Sequence, residues 1–334
     1  MPSYAIGVDL GGTNLRIAAV DEHGTLLHKV TLGTEVAKGR DYVVGEMTRA
    51  IKQVIETLKA PGHLDGIGIG VPGIIDMSTG FLFESPNLPG WDNYPVHSDI
   101  ERHLGTPVIL ENDANAAALG EKWLGAGRDV ETMVMLTLGT GVGGGIVLDG
   151  EIWHGMSGMA GELGHITIYP DGHICGCANH GCIEQYASAT AITRLANEAI
   201  GRGEAPSLAK VKEAHPAEFN SRTIYMAAVQ GDRAAQDVYT KVGVALGIGI
   251  AGIINALNPH MFVIGGGASS AWEAFAPAMN AELQKRCFVY RATAPKEGGS
   301  IANPSKTIIT RALLGGDAGL FGAAKLPMQR ARRK

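Results

Sequence analysis

Short runs of apolar residues, alternating or continuous, set the frame of the chain. Residues 4–8 and 15–20 are β-rich, and residues 26–31 follow a turn at His23-Gly24; together they predict a three-stranded antiparallel meander. An amphipathic stretch over 43–58 predicts a helix, and Gly66-Ile-Gly-Ile-Gly-Val-Pro-Gly73 predicts a buried strand ending in a turn. Residues 107–110 read as a strand that runs directly into an Ala-rich helix over 111–119. From Thr132 the opening pattern returns, with a strand over 134–138, a glycine turn over 139–144, a strand over 145–148 and a short third run over 151–154. Recurrence of strand, turn and strand about 130 residues apart is the mark of an internally duplicated fold. Helices are predicted near 185–200, 223–230 and 234–257, the last rich in small residues and stopped by Asn258-Pro259. A buried strand enters the glycine loop Gly265-Gly266-Gly267, and a strand over 307–310 and a helix from Asp317 to about Lys325 close the chain.

Composition narrows this frame. A chain of 334 residues has room for about two domains, each with its own core. Its 47 glycines are about twice the ordinary ~7% and are clustered, which points to close backbone approach to a ligand rather than to disorder. A formal charge of −5 sets aside nucleic acid and anionic membranes as main partners, and the basic residues Arg330, Arg332, Arg333 and Lys334 read as a solvated terminus. No apolar run of about 18 residues is read as a membrane span, residues 1–10 lack the regions of a signal peptide, and a cytoplasmic address is expected. With no flexible linker evident, two lobes meeting at a hinge are expected.

Candidate chemistry is concentrated in a few stretches. Glu162-Leu-Gly-His165 precedes Cys175, Cys177 and Cys182-Ile-Glu184, so one imidazole and three thiolates offer the four ligands of tetrahedral zinc. A filled shell of this kind is structural, because catalytic zinc keeps a position open for water. The fourth cysteine, Cys287, reads as a buried apolar filler in a helix-like segment. Between the first two strands, Asp9-Leu-Gly11-Gly12-Thr13-Asn14 would present backbone N–H groups and a hydroxyl to phosphate oxygens, with Asp9 acting on magnesium or its waters. A plain hairpin uses the same glycines. Its echo at Gly139-Thr140-Gly141 changes the balance, since two such turns facing each other across a cleft would embrace one polyphosphate. Gly265 and Gly266 suit either close helix packing or the base and ribose of a nucleotide. Asn87, in a proline-rich loop that also carries Trp91, can donate to and accept from a sugar hydroxyl, or is an ordinary loop amide. Asp113 lies at a strand-to-helix junction, where α/β proteins place ligands. It either caps the helix or joins Asn112 in a hydroxyl-binding pair as a general base.

Taken together, Asp9-x-Gly-Gly-Thr-Asn14, Glu111-Asn-Asp-Ala-Asn115, Leu138-Gly-Thr-Gly-Val-Gly-Gly-Gly145, Glu162-Leu-Gly-His165, the Cys175/Cys177/Cys182-x-Glu184 run and Ile264-Gly-Gly-Gly267 resemble the ROK family of sugar kinases and sugar-responsive repressors, and within it the glucokinases. The resemblance covers nearly the whole chain in order. It implies an α/β fold of two ribonuclease-H-like lobes of the actin/hexokinase type, with a cleft and a zinc-binding loop. A small lobe would comprise residues 1–115 and 313–334, and a large lobe residues 116–312 with the zinc loop at 162–184. One departure is Ala178, where the family's cysteine run usually has Gly; it bears on the loop backbone and leaves the ligands unchanged.

Carried over by position, the resemblance implies that Asn87, Asn112, Asp113, Glu162, His165 and Glu184 bind the hexose, with Asp113 taking the proton of the 6-hydroxyl. Gly11, Gly12, Thr13, Asn14, Thr140 and Gly141 would hold the phosphates of ATP, Gly265 and Gly266 would lie near its adenosine, and Asp9 would help to place Mg2+. His165, Cys175, Cys177 and Cys182 would bind structural Zn2+, and a homodimer is expected. Glucose is the favoured acceptor, with mannose, fructose, allose or an N-acetylhexosamine, and polyphosphate in place of ATP, as alternatives. A sugar-responsive repressor needs a DNA-binding module, for which a first strand at Tyr4 leaves no room. A non-catalytic zinc-stabilised binding protein would leave Asp113 and both glycine turns unexplained.

Overall fold

The computed structural model describes residues 3–58, 62–295 and 305–332. Arg333 and Lys334 of the basic tail lie outside the described residues. The chain divides into two compact units, one of residues 1–132, 145–161 and 313–334, the other of 133–144 and 162–312.

In the first unit, β1 (Ser3–Leu10), β2 (Asn14–Asp21) and β3 (Leu26–Gly33) form the expected antiparallel meander. α1 (Arg40–Leu58) leads to β4 (His63–Val71), which pairs parallel with β1. A hairpin of β5 (Ile74–Asp76) and β6 (Phe81–Glu84), which the apolar pattern does not announce, precedes α2 (Val96–Leu104) and β7 (Ile109–Asn112). The resulting sheet has the order β3-β2-β1-β4-β7. Period-two alternation gives it two unlike faces. Ile6, Val8, Leu10 and Ile17 join Val44, Met47 and Ile51 of α1 in a core of large side chains. On the other face Ala5, Ala18 and Val20 meet Leu320, Ala324 and Met328 of α11 (Ala318–Arg332).

That second face is built for close approach. A Cβ on Gly68 would sit 1.9 Å from the Ala323 carbonyl oxygen, so helix backbone rests directly on strand backbone. Pro327 stands four residues after Ala323 inside α11 and has no N–H to offer that carbonyl. α11 also packs against α3 (Asp113–Trp123): a Cβ on Gly322 would sit 1.7 Å from the Ala116 carbonyl oxygen. α3 therefore belongs with the first unit, although a boundary at residue 115 would assign it to the second. The helix expected to end near Lys325 continues to Arg332, which places Arg330 and Arg332 within α11. Buried Glu121 anchors the same region, accepting N–H bonds from Ala126 at 2.8 Å, Leu313 at 3.1 Å and Leu314 at 2.7 Å.

The second sheet repeats the plan, with the order β10-β9-β8-β11-β12. Its strands are β8 (Met133–Leu138), β9 (Val142–Leu148), β10 (Glu151–Ile152), β11 (Met261–Gly265) and β12 (Ile308–Arg311). β11 pairs parallel with both β8 and β12. Helices α4 (Glu184–Ala187), α5 (Ala189–Gly201), α6 (Pro206–Ala214), α7 (Ser221–Val229), α8 (Arg233–Leu257), α9 (Trp272–Arg286) and α10 (Phe288–Thr293) belong to the second unit, while β10 and most of β9 fall in the first. α8 corrects one expectation: by length and composition it is apolar enough to cross a membrane. Its apolar residues are spent inside the unit instead, including Val238, Val242, Leu246, Ile250 and Ile254 in the core. Its small residues let α9 approach, since a Cβ on Gly243 would lie 2.2 Å from the Phe275 carbonyl oxygen. Cys287 is buried as expected but lies between α9 and α10 with polar partners, donating to Asn255 Oδ1 at 3.2 Å and accepting from the Tyr290 N–H at 3.3 Å.

Candidate active site

In the first unit the polar residues gather where strands end. The β1–β2 turn is tied by the Gly11 N–H to the Asn14 carbonyl at 2.9 Å, and by Thr34, whose hydroxyl donates to the Gly11 carbonyl at 2.5 Å. A Cβ on Gly12 would meet the Asn87 carbonyl oxygen at 2.7 Å, so glycine here lets the loop carrying Asn87 lie against the turn. That loop is pinned by the Ser85 hydroxyl to the Pro72 carbonyl at 2.6 Å and by fully buried Trp91, stacked edge-on with Tyr94 at 5.5 Å. The indole of the loop thus serves packing, while Asn87 stays exposed. Asp9 is paired with Arg16, its partner across β1 and β2, at 2.8 Å. Burial pushes the Asp9 carboxyl up, against the opposing pull of Arg16. Lys29 and Asp317 form a second pair at 2.6 Å. Arg16 and Lys29 were not singled out in the sequence, where each is one more cation on a strand.

The β7–α3 junction separates two jobs that the sequence leaves tangled. Asn112, not Asp113, is the N-cap: its Oδ1 accepts the N–H groups of Ala114 at 2.9 Å and Asn115 at 3.1 Å. Its Nδ2 donates to the Gly73 carbonyl at 3.1 Å, which leaves one amide hydrogen for a ligand. Asp113 is the first helical residue, half-buried, with Oδ1 2.8 Å from the Ala114 nitrogen. Behind it, buried Glu111 accepts from His154 Nε2 at 2.7 Å. That bond raises the His154 pKa above its ordinary value, against the cost of partial burial.

In the second unit, the ligand atoms of His165, Cys175, Cys177 and Cys182 all lie within 4.8 Å of one another. Cys175 Sγ stands 3.5 Å from His165 Nδ1, and Cys177 Sγ 3.8 Å from Cys182 Sγ. Ligands on a tetrahedral zinc with Zn–S of ~2.3 Å stand roughly 3.7 Å apart, so the cluster fits structural zinc. Burial and the neighbouring sulfurs of Cys177 and Cys175 push the Cys182 thiol up to about 12, a cost that a cation among the sulfurs reverses. Because Nδ1 faces the cysteines, Nε2 points elsewhere, lying 3.8 Å from Glu162 Oε2. Ala178 adopts φ +65°, a left-handed conformation that glycine takes without strain. Glu184 ties the zinc loop to the second glycine turn. Its Oε2 accepts the Val142 N–H at 2.9 Å, and a Cβ on Gly141 would lie 2.3 Å from the same oxygen. Thr190 of α5 donates to the Thr140 carbonyl at 2.8 Å, at the edge of a groove lined by Thr190, Arg194, Asn197, Phe219 and Asn220. Gly265 ends β11, and Gly266 follows it at φ +82°.

Two sheets of one topology, each with a glycine turn between its first strand pair, define an α/β protein of the actin- and hexokinase-like class. Comparison with known proteins carries this further. The ROK family model matches residues 5–330, and the chain belongs to that family. It is similar to the glucokinase of Thermotoga maritima, with 39% identity covering 97% of each chain. It is also similar to the glucokinase of Halalkalibacterium halodurans, with 37% identity covering 98% of this chain and 95% of that one. Among solved structures, a ROK family glucokinase from Streptomyces griseus in complex with glucose and AMPPNP aligns with a TM-score of 0.77 and 33% identity, covering 98% of this chain and 100% of that one.

Proposed function

We propose that this protein transfers the γ-phosphate of ATP to the 6-hydroxyl of glucose, with Asp113 as general base. The observation that carries the reading is the β7–α3 junction, where Asn112 is the N-cap and Asp113 sets a half-buried carboxylate beside it at the strand end. The glucokinases among the relatives, one of them with glucose and an ATP analogue, support the substrates. Phosphoryl transfer asks for positioning and charge neutralisation more than covalent chemistry. Asn87 and the remaining amide hydrogen of Asn112 bind sugar oxygens, as do Glu162, His165 Nε2 and the Glu184 side chain. Zinc, where bound, fixes the His165 tautomer and leaves Nε2 a defined donor. Gly11, Gly12, Thr13 and Asn14, with Thr140 and Gly141, hold phosphates, and Gly265 and Gly266 lie near adenosine. Mg2+, when bound, would neutralise phosphate charge, and Asp9 would help to place it while Arg16 restrains the carboxylate. The protein acts in the cytoplasm as a homodimer.

A panel of glucose, mannose, fructose, allose and N-acetylhexosamines, each with ATP and with polyphosphate and scored by kcat/KM, tests the assignment. Glucose with ATP is expected to lead. Preference for another sugar by tenfold or more would replace the acceptor, and the absence of turnover with every pair would remove the kinase reading.

A further inference from the structure

We propose that His154 is a positioning residue for the Asn112-Asp113 turn, acting through the buried carboxylate of Glu111; the inference rests on the kinase reading for the role of Asp113. Glu111 occupies β7 just before the turn, and its side chain is 2% exposed. Each of its oxygens is used. Oε1 accepts the backbone N–H of Asn112 at 3.0 Å and the side-chain amide of Asn115 at 3.1 Å, and Oε2 accepts from His154 Nε2 at 2.7 Å. One carboxylate therefore holds the backbone on the near side of Asp113 and a side chain on its far side. Asn115 is itself buried and its Oδ1 has no hydrogen-bond partner, so Glu111 is what orients that amide.

A carboxylate this deep is costly unless a cation pairs with it. His154 Nε2, 2.7 Å from Oε2 and with its pKa raised by that bond, is placed to be that partner, and Glu111 is the charged group that faces it. The ring arrives from the segment just after β10, and the His154 carbonyl accepts the Ala160 N–H at 3.1 Å, which closes the loop that follows. Without that partner, Oε2 is left buried with no donor and the carboxylate turns to find one. That turn loosens the two bonds that flank Asp113. Displacing a reacting group by about 1 Å costs up to roughly a hundredfold in rate without a matching loss of substrate binding.

The test compares His154→Gln, Glu111→Gln and the double variant in the full chain, measuring kcat and glucose KM at saturating ATP. His154→Gln is expected to lower kcat on the order of tenfold with glucose KM within about threefold. The double variant is expected to recover most of that loss, because the amide introduced by Glu111→Gln can accept both N–H donors through its carbonyl while its NH2 donates to the side chain at position 154. Wild-type kcat in His154→Gln, or a loss that the second substitution does not relieve, would overturn the proposal. Should His154→Gln fail to fold, His154→Arg takes its place. A kcat within about threefold of wild type supports a required cation, and a folded but crippled enzyme overturns it. Failure of the base assignment shows separately, as turnover in Asp113→Asn.

Discussion

Asn112 and Asp113 sit side by side in different positions, Asn112 as the N-cap that accepts two of the helix's first N–H groups and Asp113 as the first helical residue. On the kinase reading, Asp113→Asn is expected to lower kcat about 10²–10⁴-fold while glucose binding partly survives. Steady-state kinetics with a direct binding measurement checks both halves, and near-normal turnover would remove Asp113 as base. His154 makes a second prediction at this scale. Its folded pKa lies above the ordinary value of ~6.5, so the stability it contributes is complete below that value and is lost as pH rises through the folded pKa. The melting temperature of wild type minus that of His154→Gln is therefore expected to be largest near pH 6 and to shrink on the alkaline side; a difference independent of pH would contradict the ion pair. Neither Glu111 nor His154 is distinguished in the sequence as a partner, because they lie 43 residues apart, one in β7 of the first sheet and the other just after β10 of the second.

At the level of elements, the loop that carries the His/Cys cluster has little regular structure of its own, and its donor set fits structural zinc. Three of its ligands fall within eight residues, so the donor set was readable from spacing, while the direction of each donor was not. One zinc per chain is expected by elemental analysis of carefully purified protein, and active enzyme free of zinc would sink this reading. The left-handed Ala178 adds a further test. Replacing it with Gly relieves roughly 1–2 kcal/mol of local strain and returns part of it as unfolded-state entropy, for a net gain of at most about 1 kcal/mol. A lower melting temperature in Ala178→Gly would show that the loop does not hold this backbone. The stacking of α11 on β1, β4 and α3 follows the same logic in another part of the chain, where glycine and alanine admit a helix that larger side chains would exclude.

For the whole molecule, the duplicated topology explains how one chain offers two similar glycine turns with different surroundings. The first is backed by Asp9, Arg16 and Thr34, the second by Glu184 of the zinc loop. The small-residue face of α8 is in part occupied by α9 of the same chain. The homodimer remains a proposal carried by the resemblance alone. Light scattering is expected to give twice the monomer mass, and a monomer at working concentration would refute it.

The amino-acid sequence by itself determined the alternating and continuous apolar runs, hence most strands and the long helices, because burial imposes periods of two and 3.6 wherever an element meets a core. It also determined the donor set of the zinc loop and the two glycine turns, since these depend on residue types close together in the chain. Tertiary structure alone decided which of Asn112 and Asp113 caps α3, that Trp91 is core, that α8 is an internal helix, and that Glu111 meets His154 and Glu184 meets Val142. Those outcomes depend on what lies opposite a residue after folding, and a periodic pattern carries no information about the identity of the neighbour across the gap.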